Sequence, residues 1–309
     1  MAPDFMRVRS TGRRGRAEIW YTTITDPITG AGVWLHHELI APLDGAAPFT
    51  QGHVAVFLPG EDVVFERFGP EPWTGAPAFA SGPVSFDRER AAGSAGGIKW
   101  DLTCATAGPP LFTFPVWAWR TPVLPAAHMV PVPAGSYTGV VQVGTYQLTL
   151  RDAPGATGRI YGHGMAQRWA WLHADLGGGD VLEVVAAIAR RPPLNKLPAL
   201  AFVRMRLDGT EWPKGDQLLA TRLFRTELSL PVWRVVGGTS QRRLDVQVTL
   251  PPERVVAAPF TDPDGSQGTC HNSERADAEV RLERRLNRCW SVERQWALQG
   301  TAHAEVGVR

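Results

Sequence analysis

The chain is poor in cysteine, in net charge and in long apolar runs. Its 309 residues hold three cysteines, Cys104, Cys270 and Cys289. That number and spacing exclude a disulfide frame and a zinc knuckle, and fit a reducing cytoplasm. A Cys270–Cys289 bridge stays open as the one isolated pairing. The formal net charge is +2, near balance, where a nucleic-acid partner would need a basic face. No run of about 18 apolar residues occurs, so neither a transmembrane helix nor an integral membrane contact is expected. Arg7, Arg9, Arg13, Arg14 and Arg16 sit in a leader with no apolar stretch after it. It does not read as a secretory signal, and residues 1–15 read as a flexible basic tail. Gly-x-Ser-x-Gly is missing. Gly162-His163-Gly164 and Gly177-Gly178-Gly179 do not link a strand to a helix, so neither reads as a phosphate loop.

The chain has 12 tryptophans and 44% apolar residues, enough for a proper core. Its length suits two domains. The densest mix of aromatic and polar residues is Gly158 to Leu176. There Trp169, Trp171, His173 and Asp175 alternate with Ala170, Leu172, Ala174 and Leu176. Period two predicts a strand with two chemically different faces. Trp171-Leu172-His173-Ala174-Asp175-Leu176 echoes Trp34-Leu35-His36-His37-Glu38-Leu39, a possible trace of two similar halves. Segments 158–165 and 168–176 could pair as a hairpin and bring His163 to His173. Gly177 to Asp180 reads as the turn into 181–189, a strand with a short helix as the lesser alternative.

Elsewhere the pattern predicts about sixteen short strands and no long helix, with a turn-rich break at 151–155. Residues 218–228 read as a strand, 251–268 as loop, and 276–286 as strand or helix. Residues 107–135 carry prolines at 109, 110, 115, 122, 125, 131 and 133 among Phe112, Phe114, Trp117 and Trp119. Such density predicts an irregular crossing segment. Many short strands in two similar halves predict an all-β chain of two tandem antiparallel barrels, over 16–155 and 156–309.

The run from Trp34 through Gly52-His53 and Phe68-Gly69, the Trp100–Pro115 segment, His163-Gly164, Trp169-Ala170-Trp171 with His173, and the closing Gly300 to Gly307 resemble the tandem lipocalin-like carotenoid 1,2-hydratases. Cofactor-free Diels–Alder cyclases share that architecture. The resemblance implies two packed barrels, with an apolar ligand site in a barrel or between the two. One departure matters. The hydratase motif carries a proton-donating Asp followed by His; here Gln167 and Arg168 stand nearest, and glutamine cannot protonate an alkene.

Adding water to an unactivated alkene needs a neutral acid in dry surroundings and aromatics that soften a cation. Glu38, Asp101, Asp175, Glu183 and Glu305 are the candidate acids. Glu38 and Asp175 lead, because each shares a face with Trp and His. His163, Gln167, Arg168 and His173 are candidate hydrogen-bond donors to a substrate. Trp34, Trp100, Trp117, Trp169 and Trp171 are candidate walls, with His36, His53 and Glu305 beside them. A metal at His36, His37, His53 and Glu38 is disfavoured, because adjacent strand residues point to opposite faces. The expectation is a cofactor-free cyclase or isomerase acting on a hydrophobic small molecule. A hydratase-like lyase with a relocated acid and a non-catalytic lipid carrier are the alternatives.

Overall fold

The computed structural model describes residues 4–9, 12–121, 124–190, 192 and 194–309. The chain divides into two compact units. One is Met1–Leu111 with Val116–Met165 and Thr261–Gln267. The other is Phe112–Pro115 with Ala166–Phe260 and Gly268–Arg309. Each holds one antiparallel β-barrel, as the sequence predicts, with ten strands rather than about eight.

The first barrel runs β1 (Arg16–Thr25), β2 (Gly32–Ala41), β3 (Phe49–Phe57), β4 (Val64–Pro72), β5 (Phe79–Ser81), β6 (Val84–Phe86), β7 (Arg90–Ala95), β8 (Ile98–Ala107), β9 (Ala126–Val143) and β10 (Tyr146–Gly162), with a short helix α1 (Val116–Arg120) between β8 and β9. The strand order is β4-β3-β2-β1-β10-β9-β8-β7-β6-β5. Its end strand β5 also bonds to β3 through side chains: Thr50 Oγ1 donates to the Ala80 carbonyl at 2.8 Å, and Ser81 Oγ to the Thr50 carbonyl at 3.1 Å.

The second runs β11 (Arg168–Gly177), β12 (Asp180–Ile188), β13 (Leu200–Leu207), β14 (Thr210–Trp212), helix α2 (Gln217–Ala220), β15 (Phe224–Glu227), β16 (Val232–Gly238), β17 (Arg242–Thr249), β18 (Val256–Thr261), β19 (Gln267–Leu286) and β20 (Cys289–Val308). Its order is β14-β13-β12-β11-β20-β19-β17-β16-β15, with β18 added to β19. In both sheets the first strand of the barrel pairs with the last, and the last two form a long hairpin. The two halves therefore repeat. The six-residue echo does not mark that repeat, because it aligns the second strand of one barrel, β2, with the first strand of the other, β11.

Several segments differ from the sequence reading. The predicted hairpin of 158–165 with 168–176 does not form: β10 pairs β1 and β9, while β11 pairs β12 and β20. The expected break at 151–155 is a bulge inside β10, where Asp152 takes φ +50°. First-barrel backbone thus extends past residue 155. Pro131 and Pro133 lie within β9. They are tolerated because β8 ladders to β9 only over Ala134–Val143, leaving the earlier part of β9 at an edge but for a bridge from Leu111 to Val130. Pro122 lies outside the described residues. Residues 218–228 begin as α2, capped by Asp216, before becoming β15. Within 251–268 stands β18, and 276–286 is strand.

The described part of the leader is docked, not loose. Met6 joins the first core, and the buried Arg159 guanidinium donates to the carbonyls of Phe5 and Arg7. Residues 1–3, 10 and 11 of that leader lie outside the described residues. All three cysteines are free. Cys270 and Cys289 sit near opposite ends of the β19–β20 hairpin, opposite Gly307 and Leu286, which rules out a bridge. No helix among the described residues is long and apolar enough to cross a membrane.

Candidate functional site

Alternation decides which side chains enter each barrel. On β11 the inward residues are Ala170, Leu172 and Ala174. They join Leu182, Val184, Val203, Met205, Trp233, Val246 and Val280 in one continuous apolar core. Trp169, Trp171, His173 and Asp175 therefore face outward. On β2 the inward residues are Val33, Leu35, His37 and Leu39, and Trp34, His36 and Glu38 face outward. The expected aromatic walls at Trp34, Trp169 and Trp171 are thus on the outer faces of their sheets, yet all three are buried. Trp100 alone of the candidate tryptophans belongs to a barrel interior, packed with Phe68. Trp117, on α1, is 43% exposed.

The outward face of the second barrel carries the densest polar chemistry. β11 places His173 opposite Glu183 of β12 and opposite His303 of β20. Glu183 accepts from both neighbours on β11, His173 Nδ1 at 2.6 Å and Trp171 Nε1 at 3.0 Å. That bond puts the His173 proton on Nδ1 and fixes the Trp171 ring. The His173 and His303 rings stack with centroids 5.8 Å apart. His303 Nδ1 lies 2.6 Å from Glu274 Oε2 on β19. Trp169 Nε1 donates to Glu305 Oε1 at 2.7 Å, and Cys270 Sγ lies 3.3 Å from the other Glu305 oxygen. Gly307 makes room for Trp169: a Cβ there would meet the indole at 2.0 Å.

Burial sets the protonation of this cluster. Glu274 is fully buried, which pushes its carboxyl well above the ordinary 4.5; the Glu305 charge adds to this, while Asn272 and His173 pull the other way. His303 is lowered to about 3, by burial first and then by His173, against the pull of Asp175 and Glu183. Burial thus favours the uncharged form of both, the carboxylic acid of Glu274 and the neutral imidazole of His303.

A second cluster lies on the outward face of the first barrel. His36 and His53 stack at 4.4 Å, with Trp34 at 4.3 Å from His53. Glu38 accepts from Gln51 Nε2 at 2.7 Å and pairs with His36 Nε2 at 3.0 Å. Burial alone would raise Glu38, but His36, Gln51 and the Arg67 charge outweigh it and hold it below its ordinary value. Glu38 is therefore ionised and does not serve as a neutral donor. His53 is driven well below 6.5 by burial, then by His36, Arg67 and His37. On the same face the Tyr21 hydroxyl meets His128 Nε2 at 2.5 Å.

The other predicted residues are not gathered into either cluster. His163 is exposed, in the first unit, with the Arg16 guanidinium against its ring. It does not meet His173, because the expected hairpin is absent. The Gln167 side chain is exposed and its backbone continues the second sheet. Arg168 opens β11 opposite Val308 and Ile188. Asp175 accepts from the Gly177 N–H at 2.8 Å and so closes the β11–β12 turn. Asp101 is exposed and bound by Arg90 through two bonds of 2.6 and 2.7 Å, which hold it below its ordinary value. Glu274 was not among the predicted acids. His303 was equally missed, although His303 and Glu305, two apart on one strand, carry the same period-two signal as His173.

The sequence and the fold both have relatives. The family model described as tocopherol cyclase-like matches residues 114–308. The uncharacterized proteins MT0513 and Rv0493c of two Mycobacterium tuberculosis strains are each 40% identical over 308 residues, covering 97% of this chain and 89% of theirs. Among solved structures, CghA with Sch210972 superposes at a TM-score of 0.64 with 13% identity, covering 94% of this chain and 88% of the other. An AttH-like protein (NE1406) of Nitrosomonas europaea superposes at 0.59 with 15% identity, covering 94% and 92%. Kievitone hydratase of Nectria haematococca superposes at 0.55 with 9% identity, covering 94% and 88%. At these identities the structures share the fold, the tandem lipocalin-like arrangement that the sequence resembles.

Proposed function

The chain belongs to the tocopherol cyclase-like family, and on that premise we propose that it is a cofactor-free enzyme acting on an unsaturated apolar small molecule by proton transfer from Glu274. The observation that carries this reading is the buried Glu274 carboxyl, whose burial favours its protonated form, 2.6 Å from His303, on the face that presents Trp169 and Trp171. A carboxylic acid in dry surroundings is the donor that alkene protonation requires. The indole faces stabilise the cation that results.

The chemistry balances without a redox partner. The Glu274 proton bonds to one alkene carbon, leaving a carboxylate and a carbocation at the other. A hydroxyl oxygen of the same molecule captures the cation and closes a ring; if water is the captor, the product is an alcohol. The proton lost from that oxygen returns through His303 to Glu274. Glu183 and Glu305 orient His173, Trp171 and Trp169 through their hydrogen bonds and act as positioning residues. Ring closure and hydration therefore share one step and differ in the captor. The relatives fit that pairing: one matched family is named for a cyclase and one structural neighbour is a hydratase. A carrier would need no such array of acids and histidines beside its aromatics.

The test uses a prenylated hydroquinone as probe in deuterated buffer, followed by mass spectrometry. Ring closure by this route adds one deuterium at carbon, and Glu274→Gln abolishes it. Undiminished conversion by Glu274→Gln sinks the assignment. A compound extracted unchanged from both proteins, with no conversion, favours the carrier.

A further inference from the structure

The long β19–β20 hairpin reaches past the strand beside it. β17 pairs with β19 as far as Arg242 opposite Arg284, and the Arg285 N–H donates to the Gln241 carbonyl just beyond. The hairpin then continues alone, with Arg285 opposite Trp290 and Leu286 opposite Cys289 around the turn at Asn287 and Arg288. Directly paired residues share a face of the sheet, as do residues two apart on one strand. Arg243, Glu283 and Val292 therefore form one row, and Arg285 and Trp290 the next row on the same face. The Arg243 guanidinium lies over the Trp290 ring at 4.7 Å, as that register requires. Leu282 is the last β19 residue in the apolar core. Beyond it the hairpin is in solvent, with Leu286 53% and Val292 48% exposed.

The charge at this tip has one prevailing sign. Arg242, Arg243, Arg281, Arg284, Arg285 and Arg288 gather there. The carboxylates among them are already bound. Glu283 accepts from Arg243 and Arg281, and Glu293 from Arg242 at 2.8 Å. Asp245, opposite Arg281, accepts from Arg234 at 2.8 Å. Among the described residues no carboxylate pairs with Arg284, Arg285 or Arg288, and all three are exposed. Apolar tips, one indole and uncompensated arginines on a single hairpin are the composition of an interfacial surface. Leucine and valine enter the acyl boundary, the indole sits at headgroup level, and the guanidiniums meet anionic headgroups. A nucleic acid would engage the arginines but leave Leu286 and Val292 in water.

We propose that the tip of the β19–β20 hairpin, with Leu286, Trp290 and Val292 among Arg284, Arg285 and Arg288, docks on an anionic lipid surface. This property goes beyond the chemistry proposed above and does not depend on it. It adds a peripheral contact and no membrane-spanning segment.

Vesicle flotation of the full chain tests it. The probes are phosphatidylcholine vesicles with and without phosphatidylglycerol. The protein should float with the mixed vesicles and not with phosphatidylcholine alone, and added salt should weaken the association. Arg284→Gln/Arg285→Gln/Arg288→Gln and, separately, Leu286→Ser/Val292→Ser should each lower partitioning by about tenfold or more. The altered side chains are exposed, so both variants should keep the parent melting temperature; if the apolar pair unfolds, the arginine variant still decides. Cys289 is the exposed cysteine of the three and stands at the turn. An environment-sensitive fluorophore on it should shift to the blue with the mixed vesicles. Glu274→Gln should float like the parent, which separates a failure of this proposal from a failure of the chemistry. Four results overturn it. One is no flotation of the parent with the mixed vesicles. Another is flotation unchanged in a folded arginine variant. A third is flotation with no change at the Cys289 label, which puts the contact elsewhere. The last is retention of duplex DNA by the parent, lost in the arginine variant, with no vesicle binding.

Discussion

Glu274 Oε2 and His303 Nδ1 lie 2.6 Å apart on neighbouring strands, and burial moves their proton affinities in opposite directions, favouring the uncharged form of each. A salt bridge of the same two residues at a surface would carry both charges. Here burial favours the uncharged form of each.

This relationship has a stability signature. The folded state holds the Glu274 proton above the ordinary 4.5 of the unfolded chain. Between those two values the folded state binds more protons, so stability is full below about 4.5 and falls as pH rises. Urea midpoints measured from about pH 5 to 8 should therefore decline less in Glu274→Gln than in the parent. Parallel curves would show that Glu274 is ionised in the folded state.

His37 should show the opposite sign. It is enclosed by Phe86, Phe79 and Phe68, and burial, reinforced by the His36 charge, lowers it to about 3 against the upward pull of the Trp20 backbone. A depressed histidine stabilises the fold fully above its ordinary 6.5, and that contribution is lost as pH falls toward 3. His37→Phe should leave stability near neutral pH little changed and raise it below about pH 6, by an amount on the order of a kcal/mol or more. His53, His128 and His303 are depressed too, so the acid limb should flatten without vanishing. Thermal melts across the acid range would measure it.

The docked leader depends on one buried ion pair. Arg159 and Glu18 meet at 2.6 Å, both almost fully buried, and Glu18 also accepts from the Arg9 N–H. Arg159→Met strands the Glu18 carboxylate and should cost about 3–5 kcal/mol. Removing residues 1–9 should cost less than that, and its effect should not add to that of Arg159→Met, because the guanidinium holds the Phe5 and Arg7 carbonyls. Denaturant titration of the two variants and their combination checks this.

Gly307→Ala should dislodge Trp169. The new Cβ would overlap the indole, and the Trp169–Glu305 bond cannot survive the shift. A stability loss of about 1–3 kcal/mol is expected, with a red-shifted tryptophan emission and impaired turnover. Unchanged emission would show that the ring has other room.

Much of this was legible along the chain. Period-two alternation placed most strands, and Gly177 to Asp180 does turn β11 into β12. The aromatic-polar stretch supplies His173, Trp169 and Trp171 to the outward polar cluster of the second barrel. Its partners were harder to see. Glu274 sits within a register shift of β19, between Ser273 and Ala276, where the ladder to β20 slips and alternation fails as a guide. Asp175 shares the face of His173, but its carboxylate is taken up by a turn that residue spacing does not reveal.

Alternation is a local property, so the amino-acid order by itself determined that these segments are strands and that each has an apolar and an aromatic-polar face. Which face turns inward was decided by closure. A barrel interior has a fixed width, and alanine, leucine and valine fill it, which turns Trp169, Trp171 and His173 out. Closure also set the neighbours. His173 meets His303 because the first strand of the barrel pairs with the last, a contact across 130 positions that no nearby residue encodes.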